Sequence, residues 1–120
     1  MGKEAKPTKR RSVCPVACAL DLVGDKWTLL IVRDLFCGKA YFNEFCRSPE
    51  KIATNILSDR LERLLAAGLI ERVALSGSLG RESYRLTERG RSLAPVLGAI
   101  ADWGLAHLEG TAALLKPKLE

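Results

Sequence analysis

The sequence predicts a mainly α-helical domain that carries one small β-hairpin. The chain of 120 residues has the length of a single domain, and its 48% hydrophobic residues are enough for a modest core. Apolar residues recur at three- and four-residue intervals over several segments, which is typical of amphipathic helices. Between Thr54 and Thr87, one such segment precedes a glycine and two short strand-like runs.

Two helices are predicted in the first third of the chain. Pro15 opens the first helix, because proline fits the first helical turn, and Gly24 closes it. Asp25 caps the second helix, which extends to Phe36 and ends at Gly38. Apolar residues lie on nearly all sides of the second helix, so we expect it to be the most buried element.

A short helix and then a long helix follow. The short helix is predicted at residues 42–47, where Phe42 and Phe45 share one face. The long helix begins near Thr54 and ends where Gly68 supplies a left-handed cap. Its apolar face consists of Leu57, Leu61, Leu64 and Leu65.

The chain then forms a hairpin and a last helical segment. Strand-like runs at residues 69–75 and 83–86 flank a turn at residues 76–80. Thr87 caps the following helix, and Pro95 forces a kink or a restart within it. A helix-turn-helix with an adjoining hairpin is a winged helix-turn-helix, which places one helix in a DNA groove and the hairpin beside it.

Composition and charge exclude several classes of function. The net charge of +5 favours a polyanionic partner such as double-stranded DNA. No apolar run approaches the roughly 20 residues that span a bilayer, so no membrane association is expected. An enzyme is not expected, because the sequence offers one histidine, no glycine-rich phosphate loop and no identifiable carboxylate pair. We expect no metal and no other cofactor, since the four cysteines include no CxxC pair and His107 is the one histidine.

The residues divide into an arm, a domain and a tail. Residues 1–12 are expected to form a disordered basic arm, which is either merely solvated or in contact with phosphates. Residues 13–110 form the winged-helix DNA-binding and dimerisation domain. Residues 111–120 form a C-terminal tail.

Four motifs, in this order, resemble the HxlR-type transcriptional regulators. They are CPVACALDLVGDKWTLLIVRDLFCG at residues 14–38, YFNEF at 41–45, ILSDRLERLLAAGLIER at 56–72 and RESYRLTERGRSLAPVL at 81–97. The resemblance implies a winged-helix homodimer that binds a palindromic operator, with repression as the expected effect. It also implies a cytoplasmic prokaryotic protein that is nucleoid-associated when it is bound to DNA.

The long helix carries the candidate residues for base recognition. The N-terminal part of the second helix in a helix-turn-helix unit enters the major groove, so early polar residues meet base edges. These residues are Thr54, Asn55 and Ser58. Asn55 suits adenine, whereas Thr54 also has the alternative role of capping the helix. Arg60 either contacts phosphate or forms an ion pair within the domain, and Arg63 points away from the core.

The hairpin and the segment before the third helix add candidate phosphate contacts. Arg81 matches the wing arginine of the family and is expected to contact the DNA backbone or minor groove. Arg85 either contacts DNA or covers a solvent face. The family tends to carry arginine ahead of FNE, where this chain instead offers Lys39 and Tyr41.

The first helix and the C-terminal helix carry more apolar surface than the core can use. We expect the surplus to pair across a twofold axis of a homodimer. The expected interface residues are Leu20, Val23, Val96, Ile100 and Trp103. The alternative for each of them is a place in the ordinary core.

Cys14 is the candidate for redox sensing. It precedes Pro15 at a helix N-terminus and lies near Arg10 and Arg11, a setting that favours the reactive thiolate. Cys18 lies one turn later on the same face. Several relatives in the family use the equivalent cysteine to sense oxidants or electrophiles, which the resemblance implies for Cys14. The alternative is a half-buried thiol at the dimer interface.

Two other hypotheses remain open at the level of the sequence. In one, a small ligand replaces the thiol switch and binds in an aromatic pocket formed by Trp27, Phe36 and Trp103. In the other, the protein coats nucleic acid without sequence preference. Binding that is equally tight to all duplexes would distinguish the second hypothesis from operator recognition.

Overall fold

A computed structural model describes residues 10–74 and 82–113. Its elements follow the chain as α1 (Pro15–Val23), α2 (Thr28–Phe36), α3 (Phe42–Cys46), α4 (Thr54–Ala66), β1 (Ile70–Ala74), β2 (Glu82–Leu86), α5 (Glu88–Arg91) and α6 (Ala94–His107). This order confirms the predicted fold class, in which helices predominate and two strands form an antiparallel hairpin. The arm at residues 1–9 and the turn at residues 75–81, with Arg81, lie outside the described residues.

Helices α2 and α4 supply more than half of the buried apolar residues of the core. Helix α2 has the largest number of buried residues among the described helices, which confirms the expectation for this element. From α4, the core receives Leu57, Leu61 and Leu64, each at most 2% exposed. The buried apolar residues outside α4 are Val23, Ile31, Val32, Leu35, Phe36, Phe45, Ile52, Leu69, Ile70 and Leu86.

Helix α2 begins three residues after its predicted cap. The Asp25 carboxylate accepts hydrogen bonds from the backbone N–H groups of Trp27 (3.0 Å) and Thr28 (3.2 Å). Free N–H groups at a helix start need such an acceptor, so Asp25 does serve the start of α2. The first helical residue is nevertheless Thr28.

Gly68 ends α4 in the left-handed conformation that the sequence predicts, with φ of 74°. The Gly68 N–H donates to Leu65 O and the Leu69 N–H donates to Leu64 O, both at 3.0 Å. This pair of hydrogen bonds is the Schellman arrangement, which satisfies the last carbonyls of a helix. The reversal directs the chain straight into β1.

The hairpin is anchored to the helices by a contact that is distant in sequence. Strand β1 pairs with β2 in a register from Ile70↔Leu86 to Ala74↔Glu82. On its other edge, β2 forms an isolated bridge between Ser83 and Tyr41. The Tyr84 N–H also donates to Ala40 O at 2.8 Å. The segment before α3 therefore behaves as a short third strand, which fixes the hairpin beside the helix-turn-helix unit.

The C-terminal segment is divided into two helices. The Thr87 side chain accepts a hydrogen bond from the Gly90 N–H at 3.1 Å, which confirms Thr87 as the cap of α5. The restart predicted at Pro95 is also confirmed, because α6 begins at Ala94 and Pro95 occupies its first turn. Helix α6 contributes no fully buried residue. None of the helices in the described ranges combines the length and apolarity needed to cross a membrane.

Candidate nucleic-acid interface

Helix α4 has a buried apolar face and an exposed polar face. Thr54, Asn55 and Ser58 are all exposed at its N-terminal end, where the sequence places the candidate base contacts. The cap position belongs to Ala53, and no side chain caps the helix. Thr54 is therefore the first residue of the helix, and its alternative role as the cap is not observed. The hydroxyl and amide groups of this surface point away from the leucine face.

Arg60 connects the middle of α4 to the start of α2. Its Nε donates to Asp25 Oδ2 at 2.8 Å, and its Nη1 donates to Asp59 Oδ2 at 2.5 Å. The Arg60 side chain is only 18% exposed. The structure thus contains the intradomain ion pair that the sequence leaves as one of two alternatives for Arg60.

The environment of Asp25 stabilises its charged form. Burial alone would raise the pKa of this carboxyl, but hydrogen bonds from Arg60, from the Thr28 hydroxyl and from the Trp27 N–H together lower the pKa to about 2. Asp25 is therefore ionised at neutral pH while it serves both α2 and α4.

The two other candidate arginines that the structure describes, Arg63 and Arg85, are also paired within the chain. Arg63 Nε lies 3.0 Å from Asp59 Oδ2, one helical turn away. Arg85 Nε donates to Glu71 Oε2 at 2.6 Å, across the hairpin. The two pairs are largely exposed, so their net contribution to stability is small.

Lys39 and Tyr41 hold the turn region together. Lys39 Nζ donates to Ser48 Oγ at 2.7 Å. Tyr41 is partly buried and bridges to Ser83 through its backbone. Its N–H and that of Ala40 both donate to the Glu44 carboxylate, which caps α3. Structural roles are thus present at both positions where phosphate contacts are expected.

A buried polar network, which the sequence analysis did not identify, connects α2 to the turn before α4. Asp34 is 2% exposed and accepts a hydrogen bond from Ser48 Oγ. Arg33 donates to Asp34 and also forms a two-bond fork with Glu50, with both distances at 2.8 Å. This fork lowers the pKa of Glu50 and raises the pKa of Arg33. An aspartate inside an otherwise apolar helix was the available sequence signal, because a buried charge requires a partner.

Helices α1 and α6 expose the apolar residues expected at a dimer interface, with one exception. Leu20, Ile100 and Trp103 are 52%, 53% and 59% exposed, and Val96 is 41% exposed. Val23 is 8% exposed and belongs to the core of the single chain. Its position at the end of α1 turns it inward, so its alternative role in the core is the one observed.

A family model described as HxlR-like helix-turn-helix matches residues 22–112 of this chain. The chain belongs to the HxlR family. The matched range includes the end of α1 and all later elements, so it covers the candidate interface. The family membership confirms the resemblance that the four sequence motifs indicate.

Relatives and solved structures agree with HxlR membership. The HTH-type transcriptional regulator Mb3122 of Mycobacterium bovis is 42% identical over 93 residues, which are 78% of this chain and 58% of the relative. This chain thus spans less than two thirds of that relative's length. The crystal structure of PA1607, described as a candidate transcription factor, is 44% identical with a TM-score of 0.76 and covers 85% of this chain and 72% of that one. The redox regulator HypR in its oxidised form is 33% identical with a TM-score of 0.73, over 80% of this chain and 99% of that one.

In this HxlR-family chain, two cysteines lie one helical turn apart at the start of α1. Cys14 is the exposed N-cap residue of α1, and its N–H donates to Ser12 Oγ at 3.0 Å. Cys18 is partly buried, and its thiol donates to Ser12 O at 3.3 Å. Arg11 pairs with Asp21 at 2.7 Å. Arg11, which the sequence places near Cys14, therefore has a carboxylate partner on α1.

The three aromatic residues considered as a ligand pocket, Trp27, Phe36 and Trp103, have different surroundings in the described chain. Trp27 lines a small cavity of about 10 Å³, whose lining includes neither Phe36 nor Trp103. Phe36 is buried in the core, while Trp103 lies exposed on α6 and stacks on His107 with ring centroids 4.6 Å apart. A larger groove of about 340 Å³ lies instead between α1 and the C-terminal end of α4. In the part of the chain that the structure describes, no group of three or more potential metal ligands is found.

Proposed function

We propose that the protein is a sequence-specific DNA-binding transcriptional regulator, with α4 as its recognition helix. The observation that carries this proposal is that α4 has one buried apolar face and one exposed polar face. Three buried leucines fix the helix in the core, while Thr54, Asn55 and Ser58 remain exposed at its N-terminal end. That end of a recognition helix enters the major groove, where amide and hydroxyl groups can pair with base edges.

The hairpin supplies the second point of contact in this proposal. Strand β2 is anchored through Ala40 and Tyr41, so the hairpin has a fixed place beside α4. Arg85 on β2 and Arg81 at the adjoining turn are then the proposed contacts to the sugar-phosphate backbone. Lys39, Tyr41, Arg60 and Arg63 complete the proposed DNA-binding set, with Arg60 also acting as a positioning residue for α4.

We propose a homodimer in which α1 and α6 pair across a twofold axis. The support is the exposed apolar surface of both helices, which the single chain leaves uncovered. Leu20, Val96, Ile100 and Trp103 form the proposed interface. Two recognition helices about 34 Å apart would then fit successive major grooves of a palindromic operator. Repression and a cytoplasmic location belong to the same proposal.

The proposed organisation assigns residues 13–110 to the DNA-binding and dimerisation domain. Residues 1–12 form a basic arm, and residues 111–120 form a tail. The charge of the arm, with Lys3, Lys6, Lys9, Arg10 and Arg11 against Glu4, suits contact with phosphates. Removal of residues 2–9 should then weaken binding to all duplexes equally.

Selection from a random duplex library tests the proposed function directly. The purified full chain should enrich a sequence with twofold symmetry, and footprinting should place this sequence upstream of a gene. The enriched duplex should bind at least about a thousandfold more tightly than random DNA at the same salt concentration. Equal affinity for the enriched and the random duplexes would instead identify nonspecific coating.

We also propose that Cys14 makes DNA binding responsive to oxidants. Its support is the exposure of Cys14 at the N-terminus of α1, together with the similarity to a redox regulator. A thiolate sulfur at this position attacks a peroxide oxygen and the O–O bond breaks, which leaves a sulfenic acid on Cys14 and releases hydroxide. Because α1 is part of the proposed dimer interface, the new polar group would alter the pairing of the two subunits.

The test for Cys14 compares single serine substitutions. Mild hydrogen peroxide should change operator affinity at least about fivefold for the wild type and not for Cys14→Ser, since the thiolate is the reactive form. Cys46→Ser is the matched control, because Cys46 is partly buried at the end of α3 and should leave the response intact. The same oxidant response in wild type and in Cys14→Ser would exclude the thiol switch.

A second candidate is a small-ligand-responsive regulator without a thiol switch. The observation that favours it is the groove of about 340 Å³, which is lined by residues of α1 and α4 such as Leu22, Leu64 and Ala66. A ligand there would contact both the proposed recognition helix and the proposed dimerisation helix. Compounds that raise the melting temperature should do so equally in a variant that lacks all four cysteines.

A further inference from the structure

Every arginine that the structure describes on α4 and on the hairpin is paired with a carboxylate of the same chain. The four guanidinium groups are those of Arg60, Arg63, Arg72 and Arg85. Their partners are Asp25, Asp59, Glu62, Glu71 and Glu82. Four of these carboxylates lie on α4 and the hairpin and equal the four arginines in number, although the whole chain has a net charge of +5.

Of the three more exposed arginines in this set, Arg63, Arg72 and Arg85, Arg72 has carboxylate partners on two different elements. Its Nη2 donates to Glu62 Oε2 at 2.9 Å, and its Nε donates to Glu82 Oε1 at 3.2 Å. Glu62 belongs to α4 and Glu82 to β2, so Arg72 lies where the recognition helix meets the hairpin. The guanidinium thus donates to Glu82 from Nε and to Glu62 from Nη2.

Glu62 lies on the same exposed side of α4 as the candidate base contacts. It follows Asn55 by seven residues, which is two helical turns or about 10 Å along the axis. Its side chain is 69% exposed, and that of Arg72 is 45% exposed. A duplex that approaches the polar face of α4 would bring its phosphates close to this pair.

A carboxylate and a phosphate compete for the same guanidinium donors. Both anions accept charge-assisted hydrogen bonds from the planar arginine fork. An ion pair between exposed side chains contributes little net free energy, so a phosphate can displace Glu62 at a moderate cost.

We propose that Glu62 limits the affinity of the protein for bulk DNA by occupying Arg72 in competition with phosphate groups. This inference rests on the proposed DNA-binding function and adds a specificity-determining residue to it. Nonspecific binding depends almost entirely on phosphate contacts, so a competitor of this kind reduces retention on non-operator DNA. Base contacts by residues such as Asn55 are not affected by the competition.

The experiment measures the affinity for a random-sequence duplex by fluorescence anisotropy over a series of salt concentrations. Glu62→Gln preserves the size of the side chain and removes its charge. It should tighten binding about three- to fivefold at low salt and steepen the dependence of log K on log salt by about 0.9, as one added phosphate contact requires. Glu109→Gln is the matched control, since it changes net charge equally at an exposed position beyond α6.

A double-mutant cycle identifies Arg72 as the group through which Glu62 acts. In the Arg72→Gln background, Glu62→Gln should produce no tightening, because the contested donor is absent. Tightening of the same size in that background would overturn the inference and show simple repulsion of phosphates. Equal affinities of wild type and Glu62→Gln, or an equal gain from Glu109→Gln, would also overturn it. Absence of wild-type binding to any duplex would overturn the proposed function and this inference together.

Discussion

Asp25 serves two helices with one carboxylate. It accepts backbone hydrogen bonds at the start of α2 and forms an ion pair with Arg60 of α4. Charge-assisted hydrogen bonds of this kind are stronger than neutral ones, particularly where solvent is partly excluded. The orientation of the proposed recognition helix is therefore supported by a carboxylate from the turn between α1 and α2.

Asp25→Asn should lower stability by an amount that depends on pH. The pKa of Asp25 is lowered to about 2 in the folded protein, so its stabilisation is complete above its ordinary pKa of 3.8 and is lost as pH falls towards 2. The shift corresponds to about 2 kcal/mol at neutral pH. Urea denaturation of both proteins between pH 7 and pH 2 should show free energies of unfolding that converge at the acidic end. A difference that stays constant over this range would contradict the assignment.

Asn55→Ala should relax sequence preference more than it weakens binding to random DNA. An amide that pairs with a base edge contributes about 1–3 kcal/mol of discrimination at one base pair. Arg81→Ala is the comparison, since loss of a phosphate contact weakens binding to all duplexes and reduces the salt dependence. Operator variants titrated against both proteins would reveal the difference, and a uniform loss in both would refute the separate roles of helix and hairpin.

The elements of this fold are held together by close packing between α5 and the start of the hairpin. Gly90 lies against the backbone of Leu69. A Cβ added to Gly90 would be 2.0 Å from Leu69 O and 2.9 Å from Leu86 Cδ2. Leu69 O also accepts the Thr87 N–H at 3.1 Å, so it cannot easily move away. Glycine is therefore required at this position for steric reasons.

Gly90→Ala should destabilise the protein by about 3 kcal/mol or more, because the clash involves backbone. Gly98→Ala provides the control within α6, where an added Cβ meets no atom within 4 Å in the described chain. Alanine is favoured over glycine in a helix by about 1 kcal/mol, so Gly98→Ala should be neutral or stabilising. Thermal denaturation of the two variants gives the comparison, and similar melting temperatures would contradict the steric argument.

Local sequence signals were sufficient to predict the helices and strands but not the contacts between them. Pro15, Gly68 and Thr87 mark helix ends through their own backbone or side-chain chemistry, so the corresponding boundaries could be predicted. The bridge from Tyr41 to Ser83 and the fork from Arg33 to Glu50 join residues that are distant in sequence. No periodic pattern encodes such pairs, which is why the sequence analysis did not find them.

At the scale of the whole molecule, apolar surface is concentrated on α1 and α6. Helix α6 has no buried residue in the single chain, yet it carries Val96, Ile100 and Trp103 on one side. Leu105 is also exposed, but helical geometry places it on the opposite side from Val96 and Trp103. This arrangement allows a matched test of which side forms the proposed interface.

Ile100→Glu should convert the dimer into monomers, because a charge would be buried without a partner at the centre of the proposed interface. Leu105→Glu should remain dimeric. Sedimentation velocity of both variants measures the oligomeric state, and operator binding should fall only for Ile100→Glu. Dissociation by Leu105→Glu with no effect of Ile100→Glu would place the interface on the other side of α6.

Because little of α6 is packed against its own chain, the lifetime of the protein in the cell should depend on its concentration. Among the described residues, α6 packs against the core only through the partly buried Ala94 and Leu97 of its first turn, and most helical stability in proteins comes from such packing. Dilute subunits would therefore expose a frayed terminal segment to proteases, whereas association would protect it. Promoter occupancy would then increase more than proportionally with the rate of synthesis. At low concentration, the subunits would be unpaired and would also be degraded faster.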